Sequence, residues 1–303
     1  MNRTDFVKKV SRQRFLLFMI IPGIVYFVVF HYIPMYGVVI AFKNFDVFSG
    51  IWDSPWVGLS HFKFFAALPY FWQVVGNTLK ISALKIFTGF PCPILLALLL
   101  NELYSQKFKK VVQTISYLPH FLSWIVISGV IFQLLSISYG FYGYICAAFG
   151  REPSVILSTK SGFMSVLITS NIWKEIGYGS IIYLASIAGI SPELYESAVI
   201  DGAGRFKQCL YITLPSLSNI IAVMLVLAMG GLLSGSFDQI FNLQNAVILP
   251  YFDTIDTYVY RMGIQQFQYS FSAAVGLARS IIGIILVLSC NWVVGKFANY
   301  TVF

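Results

Sequence analysis

Four side chains able to carry charge or hydrogen bonds sit at helical spacing within an otherwise apolar stretch. Asn171, Lys174, Glu175 and Tyr178 stand at i, i+3, i+4 and i+7, which places them on one helical face. Ionisable groups inside a bilayer are costly and usually face a cavity or a partner helix. This stripe therefore has three readings. It lines a polar path, or it forms an internal pair (Lys174–Glu175, or Lys85 with Glu175) that fixes packing, or it lies at the membrane interface. A second polar set comprises Gly230, Gly231, Ser234, Gly235 and Ser236, followed by Asp238 and Gln239. Small residues of this kind either pack helices closely or loosen a helix so that backbone and hydroxyls line a path. Asn77 and Thr78 read as packing or capping groups, and Arg279 reaches a cavity or a partner.

Other chemistry is excluded by spacing. Cys92, Cys146, Cys209 and Cys290 are scattered, none near metal-ligand spacing, and read as small apolar filler. His31, His61 and His120 are equally isolated, so no metal site is expected. No nucleophile–base arrangement stands out. No G-x-x-x-x-G-K-[ST] loop occurs, so the chain cannot hydrolyse ATP by that means.

The elements that must position these residues are long apolar runs. The chain has 303 residues, 58% of them hydrophobic and only 11% charged, where a soluble domain carries about 25% charged residues. This composition points to a multi-spanning membrane protein. The net charge of +8 lies mostly in short segments between spans, a topogenic pattern rather than a nucleic-acid groove. A basic start (Arg3, Lys8, Lys9, Arg12, Arg14) precedes an apolar run from Phe15 to about Val39, too long for a signal peptide and without a cleavage site. This is span one, bent or ended by Pro22 and Pro34. Residues 43–70 form an aromatic loop suited to the interface. Span two covers about Gly76–Leu100, a polar turn Asn101–Lys110, and span three about Val111–Leu135 with Pro119 near its start. A loop follows over 136–160, with a short interfacial helix at Tyr142–Phe149. Span four covers about Gly162–Ile190, span five about Ser216–Phe237, a polar loop extends to about Tyr269, and span six covers about Phe271–Val294.

Six spans put both ends on one side. The N-terminus, the 101–110 turn, residues 191–215 and the C-terminal end hold 11 Lys and Arg, against five in the opposite loops. The positive-inside rule makes the first set cytoplasmic.

The segment Ser191–Pro215 is long, polar and punctuated by glycine. Ser191 can cap a helix and Pro192 suits its first position. Glu193 favours the helix dipole, and Leu194, Ala198 and Tyr195 share a face. Gly202 and Gly204 stop this helix and permit a turn with positive φ. A second short helix from about Arg205 leads into Pro215. The whole reads as helix, glycine turn, helix, longer than a plain linker needs.

Glu196-Ser197-Ala198, then Gly202, then Ile212-Thr213-Leu214-Pro215 match the spacing E-(A/S)-A-x₃-G-x₉-I-x-L-P. The segment resembles the cytoplasmic EAA loop of membrane subunits of ABC-type importers served by binding proteins. The pattern usually has Ala at the position of Ser197. The resemblance covers roughly residues 70–298, with span one as an extra N-terminal helix. SPELYESAVIDGAGRFKQ, Tyr117–Trp124 and Phe252–Leu277 are similar to permeases for oligosaccharides and polysaccharide fragments in Gram-positive bacteria.

That resemblance implies an all-α polytopic fold of six transmembrane helices, the type I ABC importer architecture. Residues 1–70 would carry the basic N-terminus, span one and the external loop, residues 71–298 the five-span permease core, and residues 299–303 the tail. It implies a bacterial cell-membrane location. It implies a second homologous permease subunit, expected to be a different chain, two copies of a cytoplasmic ATPase, and an external solute-binding lipoprotein. ATP and Mg would reside on the ATPase, and this chain would bind no cofactor, with lipid around it and no nucleic acid. Glu196, Ser197, Ala198, Asp201, Gly202 and Arg205 would form the docking turn, and Ile212, Leu214 and Pro215 would tie it to span five. A carbohydrate path would draw on Lys85, Asn171, Lys174, Glu175, Tyr178, Ser234, Ser236 and Asp238. The rival readings are a permease for a peptide or amino acid, an ATP-independent secondary transporter, and a membrane enzyme.

Overall fold

The computed structural model describes residues 14–233 and 236–298, and every described regular element is helical. The basic residues before Arg14, Ser234, Gly235 and the tail 299–303 lie outside the described residues.

The chain divides into two compact units, residues 1–67 with 260–278, and residues 68–259 with 279–303. In the first, helix α1 (Arg14–Phe27) continues as a π-turn over Val28–Tyr32 and a tight helix to Phe42. Neither Pro22 nor Pro34 ends it. Ahead of Pro34, which has no amide to donate, the ladder widens so that Ile33 N–H reaches the Val28 carbonyl. The aromatic stretch beyond is folded: Lys43 pairs with Trp56 as an isolated bridge, and Lys43 Nζ donates to the carbonyls of Ile51 (2.7 Å) and Trp52 (2.8 Å). Phe48, Trp52 and Trp56 remain exposed.

The second unit holds the polar residues of interest. Helix α2 (Pro69–Gly89) and helix α3 (Pro91–Asn101) form one apolar span of 33 residues, roughly 50 Å long at 1.5 Å per residue. It begins at Pro69, seven residues before the expected start, because Leu68 is extended and proline suits the first helical position. The following turn is correspondingly short. Ser105 Oγ accepts from Phe108 N–H and opens helix α4 (Gln106–Tyr117).

Span three is not a straight rod. Helix α4 and helix α5 (Trp124–Leu134) meet at 103°. Pro119 lacks a donor, Leu122 is extended, and Ser123 Oγ caps a new helix at Val126 N–H (3.3 Å). The short helix expected at Tyr142–Phe149 occupies Phe141–Ala148. Helix α6 (Lys160–Ala188) has 29 residues. Helix α7 (Pro192–Ile200) and helix α8 (Arg205–Gln208) build the elbow.

Helix α9 (Ser218–Gly230) ends seven residues before the expected limit of span five. Gly231–Leu233 is a turn, and Ser236 adopts a left-handed conformation with φ 83°. The helix thus ends at Gly230, which also packs closely: an added Cβ there would stand 3.3 Å from Val287 Cγ2. The expected polar loop beyond is helical and largely buried. Helix α10 (Phe237–Leu243) brings Ile240 and Leu243, and the stretch leading to helix α11 (Ile255–Tyr260) brings Ile248 and Phe252, into one core cluster with Ile81, Phe163 and Leu167. Burial of these apolar side chains is what draws the segment inward. Helix α12 (Tyr269–Ala298) closes the chain.

By length and composition, three described helices can cross a membrane, or five if each bent pair is one span. Helix α6 has ample length but carries Lys174 and Glu175 at its middle.

Helix α6 crosses α4 at Gly177, where an added Cβ would stand 2.0 Å from the Ser116 carbonyl oxygen. Gly177→Val therefore forces the two helices apart. It should lower the apparent melting temperature of the detergent-solubilised protein by several degrees, matching the ~1–3 kcal/mol typical of overpacking. An unchanged melting temperature would show that the helices do not meet there.

Candidate functional site

Gln239, fully buried on α10, organises the intramembrane polar residues. Its amide nitrogen donates to the Leu167 carbonyl (2.8 Å) and to Ser170 Oγ (2.9 Å), both on α6. Its amide oxygen accepts from Lys85 Nζ on α2. Lys85 Nζ also donates to Ser236 Oγ. A buried ammonium is tolerated when such acceptors replace water. One network thus joins α2, α6 and the segment after the α9 break. Beside it lies a cavity of ≈ 270 Å³ lined in part by Ser82, Lys85, Asn171, Glu175 and Ser236. Four of the residues expected on a polar path are therefore brought together from three elements.

The other members of the α6 stripe do something different. Lys174 is buried, and its Nζ donates to the carbonyls of His120 (2.5 Å), Leu122 (2.7 Å) and Pro119 (3.4 Å). The break between α4 and α5 frees the carbonyls of His120 and Leu122 from helical pairing, while that of Pro119 also accepts from Leu122 N–H (3.2 Å). Glu175 pairs with neither Lys174 nor Lys85 but with His120, whose Nδ1 lies 2.8 Å from the carboxylate oxygen. The His120 ring stacks flat on Tyr178, centroids 3.8 Å apart and planes 2° apart. His120 is thus not isolated. Asp238 is exposed and is not among the cavity's lining residues. Ser234 falls outside the described residues.

Sequence reasoning missed His120 and gave Gln239 no role. Each acts across more than 50 residues of chain, and no local spacing announces that. His120 does sit next to Pro119, the residue that breaks the span, where freed carbonyls demand partners. Thr78 and Asn77 are packing groups: Thr78 Oγ1 accepts from Ile255 N–H (2.9 Å), and Asn77 Nδ2 donates to the Asp253 carbonyl (3.2 Å). Arg279 pairs with Asp256 on α11.

At the elbow, α7 ends where Ala203 N–H donates to the Ala198 carbonyl (2.8 Å) and Gly202 N–H to that of Val199 (3.0 Å). Gly202 alone takes the positive φ, +75°. Gly204 is extended at φ −69° and starts α8. Ser191 precedes α7 without a side-chain cap bond. The two arms are tied by Tyr195 OH and Thr213 Oγ1 at 2.9 Å. Arg205 reaches back to Glu102 (3.7 Å) and lies over the Tyr104 ring. Glu196, Ser197, Asp201 and Gly202 are exposed, as are the apolar Val199, Ile200 and Phe206. Leu214 instead packs on a buried cluster of Ile94 and Ala97 from α3, Tyr183 and Ile187 from α6, and Leu217. The elbow thus has an outer face open to a partner and an inner end rooted among three helices.

Residues 89–299 match the family described as binding-protein-dependent transport system inner membrane component. The chain is 40% identical to protein LplB of Bacillus subtilis, over 97% of this chain and 92% of that protein. It is 42% identical to the polygalacturonan/rhamnogalacturonan transport system permease protein YteP of the same organism, over 98% and 93%. Among solved structures, it is similar to a chain of a bacterial ABC transporter involved in the import of the acidic polysaccharide alginate. That match has a TM-score of 0.89 and 38% identity, and covers 96% of this chain and 99% of that one. A second structure shows the alginate transporter in complex with an alginate pentasaccharide-bound periplasmic protein, with TM-score 0.89, 37% identity and coverage of 97% and 99%.

Lys174→Met leaves carbonyls at the span-three break without partners. It should destabilise the folded protein by about 1–3 kcal/mol, read as a shift in the denaturation midpoint in micelles. Lys107→Met, on the exposed start of α4, should stay within about 0.5 kcal/mol of wild type. Equal effects would remove Lys174 from the break.

Proposed function

The chain belongs to the family of binding-protein-dependent transport system inner membrane components, and from that premise we infer how its geometry serves import. It is a membrane-embedded permease subunit for carbohydrate transport, not an enzyme in its own right. The observation that carries the mechanism is the elbow. A helix–glycine turn–helix presents exposed apolar groups outward while Leu214 and Leu217 root it among α3 and α6.

Such a surface fits a protein partner. Exposed Val199, Ile200 and Phe206 flank Glu196 and Gly202, giving an apolar patch with a polar rim. The partner is a cytoplasmic ATPase, two copies serving this chain and a second permease subunit, with ATP and Mg held on the ATPase. The excess of Lys and Arg on the elbow's side puts the elbow and both chain ends in the cytoplasm. A solute-binding protein delivers cargo from the other side, consistent with the family description and with the periplasmic partner of the alginate transporter. Cargo then passes the cavity of Lys85, Asn171, Glu175 and Ser236, whose donors and acceptors suit sugar hydroxyls. The polysaccharide relatives support a glycan cargo.

Movement of the elbow reaches this cavity through packed side chains. Displacing Leu214 presses on Ile94, Ala97, Tyr183 and Ile187. These residues lie on the same continuous helices that carry Lys85, Asn171 and Glu175.

An added Cβ at Gly202 meets nothing within 4 Å, so only its φ of +75° resists a side chain. Gly202→Ala should therefore cost about 1 kcal/mol of local backbone strain and slow ATP-driven uptake in the reconstituted transporter. Gly202→Asp adds charge and bulk to the docking face. It should leave the protein inserted while abolishing uptake and substrate-stimulated ATP hydrolysis. Full transport by Gly202→Asp would overturn the docking role, and uptake by this chain without any ATPase would favour a secondary transporter.

A further inference from the structure

Helix α2 presents two neighbouring faces, each lining a different cavity. Ser82, Lys85 and Gly89 face the charge-balanced cavity that also holds Glu175. Asn77, Lys80 and Leu84, at i, i+3 and i+7, face a second cavity of ≈ 390 Å³ together with Lys160, Ser161 and Tyr251. That size falls within the ~300–1,000 Å³ typical of small-ligand sites. Lys160 is the first residue of α6, and the elbow follows the last, 29 residues on. The second cavity therefore lies roughly 40 Å along α6 from the elbow, at the end that receives cargo.

Its chemistry is one-sided. Two ammonium groups line it and no carboxylate does. Lys80 makes no hydrogen bond or ion pair among the described residues. Lys160 Nζ sits 3.5 Å from the centroid of the Tyr251 ring, a weak and displaceable partner. The nearest acid in sequence, Asp253, is fully buried and accepts from Tyr70 OH (2.7 Å) and Thr257 Oγ1 (2.7 Å). Asn77 and Ser161 add uncharged polar groups, and the Tyr251 ring adds a face on which a sugar can stack.

We propose that this cavity is an entry subsite for a carboxylate-bearing sugar unit, with Lys80 and Lys160 binding the carboxylate of an acidic oligosaccharide. The proposal rests on the carbohydrate-importer reading and narrows it to uronate-type cargo. Two ammonium groups offer charge-assisted hydrogen bonds that a neutral sugar cannot match. The deeper cavity, where Lys85 and Glu175 balance, does not discriminate by charge in this way. Acid selection thus belongs to the entry end of the path.

The test uses the complete transporter in proteoliposomes, with saturating loaded binding protein and a galacturonic acid trimer and its methyl ester as probes. Wild type takes up the acid faster than the ester. Lys80→Gln/Lys160→Gln lowers the acid-to-ester rate ratio about tenfold, and Lys80→Arg/Lys160→Arg keeps it high. An unchanged ratio in the glutamine variant overturns the subsite. So does uptake of neutral oligosaccharides with none of any uronate oligomer, while in both cases the carbohydrate-importer reading stands. A loss of ratio seen in vesicles containing phosphatidylglycerol but absent in pure phosphatidylcholine assigns the lysines to lipid headgroups and overturns the subsite as well. No ATP-driven carbohydrate uptake by wild type sinks the importer reading and the subsite with it.

Discussion

In hydrocarbon each unpaired backbone carbonyl or amide costs several kcal/mol, so a broken helix survives only where side chains replace its lost ladder. Among the described residues, two breaks in this chain each have a buried lysine against them. Lys174 places its ammonium on the carbonyls of Pro119, His120 and Leu122, at the 103° bend between α4 and α5. Lys85 holds Ser236 and Gln239 just beyond the end of α9. The two lysines lie on different helices and serve different breaks, yet Glu175 and Gln239 tie both sets to α6. Helix α6 is thus the post against which the irregular segments are fixed. The polar cavity exists because these irregular segments leave hydrogen-bonding groups beside it.

The same post receives the elbow. Its lower turns contribute Tyr183 and Ile187 to the cluster that seats Leu214 and Leu217. Its middle carries Asn171, Lys174 and Glu175, and its first turn carries Lys160. A packed helix of this length transmits displacement as a rigid element because cores of this density do not deform continuously. Under the proposed function, an ATPase stroke at Gly202 reaches the cavity through one helix and the adjoining α2–α3 span, without any chain of loops.

Much of this architecture was legible in local pattern. Pro192, Glu193 and Gly202 announced helix and turn through rules that act within a few residues, and both arms of the elbow follow them. The stripe Asn171 to Tyr178 was correctly placed on one helix. What those four side chains touch was not legible. Adjacent in sequence, Lys174 and Glu175 look like a pair. Neighbours along a helix point about 100° apart, however, so each found a different group on the 118–123 break. Apolar spacing in 236–260 was read as a loop because polar residues interrupt it, yet Ile240, Leu243 and Ile248 are almost wholly buried. The span-three break was signalled by Pro119 and Ser123, but whether a proline bends or breaks a helix depends on who satisfies the freed carbonyls. Lys174 answers that from 50 residues away.

Ser236 shows how far the α9 break depends on its neighbours. A non-glycine residue at φ 83° costs about 1–2 kcal/mol, and the conformation persists only when its surroundings over-determine it. Here the restraint is one hydroxyl held by Lys85 and one amide, Gln239, held by both Lys85 and α6. The strained turn is therefore fixed by α2 and α6 together with the bond from Ile240 N–H to the Ser236 carbonyl (3.0 Å). Relative movement of those two helices would change the contacts of Ser236. Since the α2–α3 span and α6 are also the elements on which the elbow packs, through Ile94 and Ile187, the turn at Ser236 is held by the elements that the elbow contacts. A rigid, continuous α9 would have lost this property. The left-handed turn at Ser236 thus takes its position from side chains of other helices.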